Sequence, residues 1–438
     1  MTAPRFFQHF TLHVVLIMFA AIFLFPFVWM LLVASKTDEE VAAGKSFPAL
    51  PAFRASSPYT TSSGATASLE LLGVEVRTHD LRIFKVPHSA LQIPYDFSKS
   101  NEPVEIRIPI ELPVPFKDIH KLAIAVKPDD SWHRVEVEFV DHRDSWISTR
   151  PVYLAQHRPM TILYQPPSAD DESLKSKTWV SLKQNVGAPS AKPDSPAELR
   201  IRILPSHTAQ AVYGKLTRNY DRVFRSVPFW RYVGNSLLLV ILSVAGMLFS
   251  STFVAYAFAR LNWPGRSIAM AILLSSMMLP PQVTMVPSFV VIKSLGWYNT
   301  LNPLWFPAWL GSAFFIFLMV QHLRTIPREL EEAARIDGLG YVQTWWYIIL
   351  PQLKPAAAAI AILTFMSAWN DFLGPLIYLR DQSLFPLSLG LYDLQLQGFN
   401  DQSVIMAGNV LMTLPVVIIF FLFQRYFVAG VTMSGLKG

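Results

Sequence analysis

Six runs of apolar residues divide this chain, at about 12–33, 233–258, 268–292, 304–321, 356–379 and 404–427. Each is close to the roughly 20 residues that a helix needs to cross a bilayer, so each predicts a spanning helix. Between the first and second runs the period of the pattern changes. Val104, Ile106, Ile108, Ile110 and Leu112 alternate with Glu105, Arg107, Pro109 and Glu111. Val135, Val137 and Phe139 alternate with Glu136 and Glu138, and Leu199, Ile201 and Ile203 with Arg200 and Arg202. A period of two puts one face of a strand in a core and the other in water. Further strand candidates lie near 69–77, 121–126, 160–164 and 178–183. About seven short strands separated by turn residues predict a β-sandwich. Pro109 assigns its strand to an edge or a bulge.

The pattern therefore predicts an all-α transmembrane bundle of six helices with an inserted β-sandwich-like domain. It divides into an N-terminal region and first helix (1–53), a β-rich insertion (54–210) and a helical core (211–438). Linkers at 55–68 (ASSPYTTSSGATAS) and 188–197 (APSAKPDSPA) punctuate the insertion.

Composition agrees with a membrane protein: hydrophobic residues make up 52% and charged residues 16%. The first apolar run is longer than the 7–15 residues of a signal-peptide core, so it is expected to be a retained helix. The chain has no Cys, which excludes disulfides and thiolate chemistry. Net charge is +6, yet Arg54 to Arg202 holds 19 basic and 19 acidic residues. The excess thus belongs to the membrane part, where it reports topology and not nucleic-acid binding. Arg5, Arg260, Arg266, Arg324, Arg328, Arg335, Lys354, Arg425 and Lys437 collect on one side of the six spans, against Lys293 and Arg380 in short loops on the other. Cytoplasmic loops collect Lys and Arg. Both termini and the loop at about 323–355 are therefore expected in the cytoplasm, and the β-rich segment outside.

That loop contains EEAARIDGLG (331–340). Pro327 suits a first helical turn, and Glu329, Glu331 and Glu332 suit the positive end of a helix dipole. Leu330, Ala333 and Ala334 are spaced to share a face, and Gly338 suits a left-handed C-cap. Tyr341, Trp345 and Ile348 predict a second short helix, ended by Pro351 and Pro355. The result is a helix–turn–helix elbow too polar for lipid.

The spacing of Glu332, Ala333, Ala334, Gly338, Ile348, Leu350 and Pro351 matches the EAA signature of ABC importer permeases without a gap. FWRYVGNSLLLVILS, STFVAYAFARLNWPG, MMLPPQVTMVPSFVVIKSLGWYNT and LTFMSAWNDFLGPLIYL extend the likeness over about 10–53 and 211–438. There the chain resembles the sugar-importer permeases of the maltose type, on the MalG-like side of the pair. The resemblance implies a type I permease fold in the cytoplasmic membrane of a bacterium or archaeon. The implied partners are a companion permease, an ATPase dimer, an external solute-binding protein, a carbohydrate and membrane lipid. It implies that the elbow is a coupling helix docking on the ATPase, with Glu332 at the contact and Gly338 permitting the turn. The C-terminal VAGVTMSGLKG resembles a tail that reaches the ATPase in some relatives. Relatives have only a short loop where this chain carries its β-rich segment.

No catalytic residue, cofactor or metal site is expected on the chain itself; ATP and Mg belong to the partner. A phosphate-cradling loop needs G-x-x-x-x-G-K-[ST], and Ala43-Gly44-Lys45-Ser46 has Glu39 where the first Gly belongs. His88, His120, His133, His142, His157 and His207 show no metal-ligand spacing. In the fifth run, Trp369, Asn370 and Asp371 offer an aromatic face and acceptors suited to a sugar pathway. Alternatively they hold helices together by interhelical hydrogen bonds. Pro280, Pro281 and Pro375 interrupt helices, which is tolerable beside a cavity. Two other readings of the chain stay open: a membrane-anchored sensor or adhesion protein working through the β-domain, and an ATP-independent secondary transporter.

Overall fold

The computed structural model describes residues 3–48, 68–78, 82–86, 91–97, 102–110, 119–129, 131–140, 145–155, 159–165, 180–185, 197–396 and 401–435. Side chains of 3–10, 281 and 425–435 are outside that description. So are Glu111, Leu112, His88, His142, His157, nearly all of both linkers, and the side chains of the C-terminal tail.

The chain forms two compact units. One comprises Met1–Pro228 with Leu394–Val410; the other comprises Phe229–Asp393 with Leu411–Gly438. This grouping crosses the boundaries expected at 53/54 and 210/211.

The first unit opens with α1 (Ala3–Ala34), apolar from Val14 on and exposed from Leu12 to Trp29. At about 1.5 Å per residue its 32 residues exceed the thickness of a bilayer core. α2 (Asp38–Ala42) starts on a capping box between Thr37 and Glu40. Eleven strands follow: β1 (Ser68–Thr78), β2 (Ile83–Val86), β3 (Leu91–Pro94), β4 (Val104–Ile110), β5 (Ile119–Lys127), β6 (Arg134–Val140), β7 (Ser145–Ser148), β8 (Val152–Tyr153), β9 (Met160–Gln165), β10 (Val180–Gln184) and β11 (Ala197–Leu204). Their order is β2-β1-β5-β9-β10-β7-β6-β11-β4, with β3 on β1 and β8 on β6.

All these pairings are antiparallel except β9 with β10, which share only two residue pairs. Across that narrow joint the two halves share one core. Leu69, Val74, Leu122, Ile162 and Tyr164 come from one half and Val137, Phe139, Leu199 and Ile201 from the other. The alternation read from the sequence fixes the register: Leu199 opposes Phe139 and Ile201 opposes Val137 inward, while Arg200 opposes Glu138 on the other face, where Glu138 is nonetheless buried and paired with Arg200 at 3.7 Å. β4 is an edge strand, with Pro109 exposed on it. β2, β3, β7 and β8, too short to show a period, went beyond the seven strands expected. α3 (Thr208–Ser226) closes this part of the unit.

In the second unit, α4 (Phe229–Arg260) buries Ser236, Ser243, Gly246, Ser250 and Ser251, small residues that admit close neighbours. A Cβ on Gly246 would lie 2.2 Å from the Trp309 ring. The third apolar run is not one helix. It splits into α5 (Arg266–Ser276) and α6 (Pro281–Ser294), because Pro280 disfavours helix before it and Pro281 has no N–H to donate backward. α7 (Asn302–Trp305) and a 3₁₀ turn (Phe306–Leu310) lead to α8 (Ala313–Arg324). Then come α9 (Glu329–Ile336), α10 (Tyr341–Thr344), α11 (Leu350–Gln352), α12 (Lys354–Asn370), α13 (Leu373–Tyr378), α14 (Leu387–Leu396) and α15 (Gln402–Gly435). The last two run across the boundary between the units.

Six spans were expected, with a bend at Pro280 and Pro281 in the third. Among the described residues four helical stretches are long and apolar enough to cross a membrane, or five if the bent pair Tyr341–Gln352 and Lys354–Asn370 counts as one. The Pro280–Pro281 break accounts for the difference at the third run.

Candidate functional site

The elbow is built as a capped helix, a tight turn and a second helix. In α9, Glu329, Glu331 and Glu332 occupy the first turn, and Glu331 and Glu332 donate their N–H groups to the Arg328 carbonyl. Pro327 lies just before the N-cap and not within the first turn. At the other end Gly338 adopts φ +83°. Leu339 N–H bonds the Ala334 carbonyl and Gly338 N–H bonds the Arg335 carbonyl, both at 3.0 Å. That is the Schellman pair, which an L side chain at 338 would strain. Gly340 N–H donates to Gln343 Oε1 at 2.9 Å and opens α10. Trp345–Ile349 form one π-helical turn before α11. Pro351 has no N–H for the Tyr347 carbonyl, which suits a widened ladder there. The chain then turns by 81° into α12.

The elbow has a pinned side and an open side. Glu331 and Ala334 are buried, whereas Leu330 and Ala333 are exposed. The expected face of Leu330, Ala333 and Ala334 is therefore corrected to Glu331 and Ala334. The reason is a partner: Arg260 Nε, in the last turn of α4, lies 2.7 Å from Glu331 Oε1, with both side chains about 95% buried. Arg260 Nη2 also donates to the Leu323 carbonyl in the last turn of α8 and to the Ile326 carbonyl just beyond it, at 2.8 and 2.7 Å. One guanidinium so ties α4, α8 and α9 together. Burial pushes the Glu331 carboxyl up, against the opposing pull of Arg260, Arg335 and Arg328. Below it Trp345, Ile349 and Leu353 join Tyr256, Phe258, Met319 and Leu323 in one apolar cluster.

On the open side are Glu332, Ala333, Gly338 and a run of exposed large side chains: Ile336 (87% exposed), Tyr341, Val342, Trp346 and Tyr347. Arg335 lies over the Tyr341 ring at 5.3 Å and braces the two arms of the turn. Ile348 and Leu350 are half-buried and Pro351 is exposed. Sequence reasoning missed Arg260, Glu331 and Ile349. A lone Arg closing an apolar helix and a second Glu beside Glu332 were the available signals.

The structure separates the trio in α12. Trp369 is buried, donates Nε1–H to the Met412 carbonyl at 3.0 Å and stacks on Phe365. Asp371 follows the helix end and accepts from Gly374 N–H at 3.1 Å, which caps α13, while its carbonyl accepts from Ser388 Oγ at 2.6 Å. Asn370 is exposed and returns its amide to the Met366 carbonyl. Among the described residues no cluster of His, Cys, Asp or Glu could hold a metal ion.

Residues 232–433 match a family model described as binding-protein-dependent transport system inner membrane component. The arabinooligosaccharides transport system permease protein AraQ of Halalkalibacterium halodurans is 37% identical, over 48% of this chain and 75% of that protein. The trehalose/maltose transport system permease protein MalG of Thermococcus litoralis is 33% identical, over 52% and 83%. Among solved structures, a bacterial ABC transporter involved in import of the acidic polysaccharide alginate is 27% identical, with a TM-score of 0.44 over 48% and 79%.

Proposed function

The chain belongs to the family of binding-protein-dependent transport system inner membrane components, and from that premise we propose how it works. It is the permease subunit of an ABC importer and carries a carbohydrate across the cytoplasmic membrane. Its partners are a companion permease, a solute-binding protein and a separate ATPase, which holds ATP and Mg. The relatives named above transport arabino-oligosaccharides and trehalose or maltose, which favours a sugar or oligosaccharide as cargo.

The elbow delivers the work. Its pinned side is fixed to α4 and α8 through Arg260, and its open side presents Glu332, Ala333, Ile336, Tyr341 and Val342. Large apolar side chains left exposed on a short polar loop favour a protein contact. We assign it to a groove on the ATPase, with Ile348, Leu350 and Pro351 supporting it from behind. Alternating access follows if closure of the ATPase dimer draws this rigid elbow and its companion together. The positive-inside distribution favours cytoplasmic termini and an outer β-domain inserted into the six-span permease plan. Of the trio, we keep the exposed Asn370 as the candidate for a pathway, while Trp369 and Asp371 are engaged by Met412, Gly374 and Ser388.

The observation that carries this reading is the Schellman-capped elbow fixed by a buried ion pair. Affinity capture of the tagged chain from its own membranes tests it. Recovery of an ATP-binding-cassette subunit, lost in Glu332→Lys, is expected; transport without any such subunit would refute it.

A further inference from the structure

The β-domain does not hang from its linkers. α3 joins it to the end of α1, to α2 and to the start of α15, all within one compact unit. One stripe of α3 faces the domain. Ala211 packs with Trp132 and Ala155. Gly214 abuts Tyr153 so closely that a Cβ would lie 2.4 Å from its ring. Arg150 bonds Asp221 at 3.3 Å, Ser206 N–H donates to His133 Nδ1 at 3.1 Å, and Arg134 donates to the Pro205 carbonyl at 3.1 Å.

Lys215, Asn219 and Arg222 tie the same helix to the ends of the apolar helices, and Lys215 also lies over the Trp132 ring of the domain at 5.6 Å. Lys215 Nζ lies 2.7 Å from Glu40 Oε1 in α2, and both are buried. Asn219 Nδ2 donates to the Ala34 and Lys36 carbonyls, each at 2.8 Å, and so caps the end of α1. Arg222 bonds Asp38 at 3.3 Å and also Asp401, just before α15; Arg218 reaches Asp38 at 3.8 Å. Ser403 Oγ donates to Asp38 and Asp401 at 3.3 and 2.7 Å. Lys215, Asn219 and Arg222 follow i, i+4, i+7 and so share one side of α3. Buried charges are kept only where a partner offsets their desolvation. Here the offset depends on a fixed spacing between α3, α2 and the start of α15.

We propose that α3 is a strut, and that Lys215, Asn219 and Arg222 are positioning residues that make the β-domain one rigid body with the outer ends of α1 and α15. The domain then moves with those ends during transport, and anything that engages it acts directly on them. That these ends are outer, and that they move during transport, rests on the function proposed above.

The absence of native Cys allows the test directly. Spin labels at Lys183→Cys on β10 and Gln402→Cys on α15, both exposed positions, report one distance in the full complex by pulsed electron resonance. One narrow peak is expected, unchanged between the nucleotide-free state and ATP with vanadate. Arg222→Gln with Lys215→Met should lose that narrow peak while the chain still inserts. Lys215→Glu with Glu40→Lys should keep it, which a general folding defect would not. An equally narrow peak in the charge-deleted variant overturns the strut, and so does a wild-type peak that shifts between the two states. The nucleotide-free comparison needs no ATPase, so it decides the strut even if the complex binds no nucleotide and the transport reading fails.

Discussion

Arg260 Nε lies 2.7 Å from Glu331 Oε1, and this pair joins a membrane helix to the elbow beneath it. The same guanidinium holds two carbonyls at the end of α8. A lever passes force only if it is stiff where it meets the load, and this joint is a buried point at which one guanidinium is paired with α9 and hydrogen-bonded to the end of α8 and a residue just beyond it. Arg is suited to it because its planar fork serves three acceptors at once.

Arg260→Gln should therefore uncouple the complex. Removing one member of a buried pair costs about 3–5 kcal/mol, because the other charge is left uncompensated. The raised carboxyl of Glu331 lowers that cost, since it can take up a proton. Uptake per ATP hydrolysed, measured in proteoliposomes, should fall in Arg260→Gln and recover in part in Arg260→Gln with Glu331→Gln. Arg260→Lys should lie between wild type and Arg260→Gln. Wild-type coupling in Arg260→Gln would show that the joint carries no load.

A second expectation concerns the β-domain's hold on α3. Gly214→Ala sets a methyl against the Tyr153 ring, and overpacking of this kind costs about 1–3 kcal/mol. Thermal unfolding of the purified chain should begin earlier in Gly214→Ala. Adding Tyr153→Leu should recover most of the loss. Additive losses in the double variant would mean that the two residues do not share the site.

Acid should weaken the β-domain through His133. This side chain is fully buried, and burial lowers its pKa to about 4, with Asp129 opposing and Arg134 adding to the effect. A base whose pKa falls on folding binds its proton more readily when unfolded. Its contribution is therefore complete above about pH 6.5 and is lost as pH falls from there towards 4, by about 3 kcal/mol in all. Hydrogen-exchange protection of the β6 and β11 amides, corrected for intrinsic rates, should drop across that window. His133→Asn can still accept from Ser206 N–H and should flatten the drop. An unchanged slope in that variant would assign the acid sensitivity elsewhere.

Much of this was legible in the sequence. The alternation through Val135–Phe139 and Leu199–Ile203 specified β6, β11 and their inward faces, because one residue of slip would turn Arg200 into the core. Gly338 was readable as a left-handed cap because its place after an amphipathic turn leaves few other roles. What stayed hidden depends on contacts far apart in the chain. Nothing local marks Arg260 as the partner of Glu331, 71 residues on by number, so the packed face of α9 was assigned to its apolar residues. The proline pair at 280–281 was seen as a bend, yet it ends one helix and starts another. Trp369 and Asp371 looked available to a ligand because their partners, Met412 and Gly374, are set by tertiary structure and by a helix start.

The most direct measurement is ATP hydrolysis by the reconstituted complex carrying Gly338→Pro, in response to its sugar-loaded binding protein. Pro fixes φ near −65° where the turn needs +83°, so the elbow loses its shape while the spans still insert. The wild-type complex should respond with faster hydrolysis and with uptake. The variant should stay at its basal rate with no uptake, as should Glu332→Lys. Normal stimulation of hydrolysis in the Gly338→Pro complex would contradict the account.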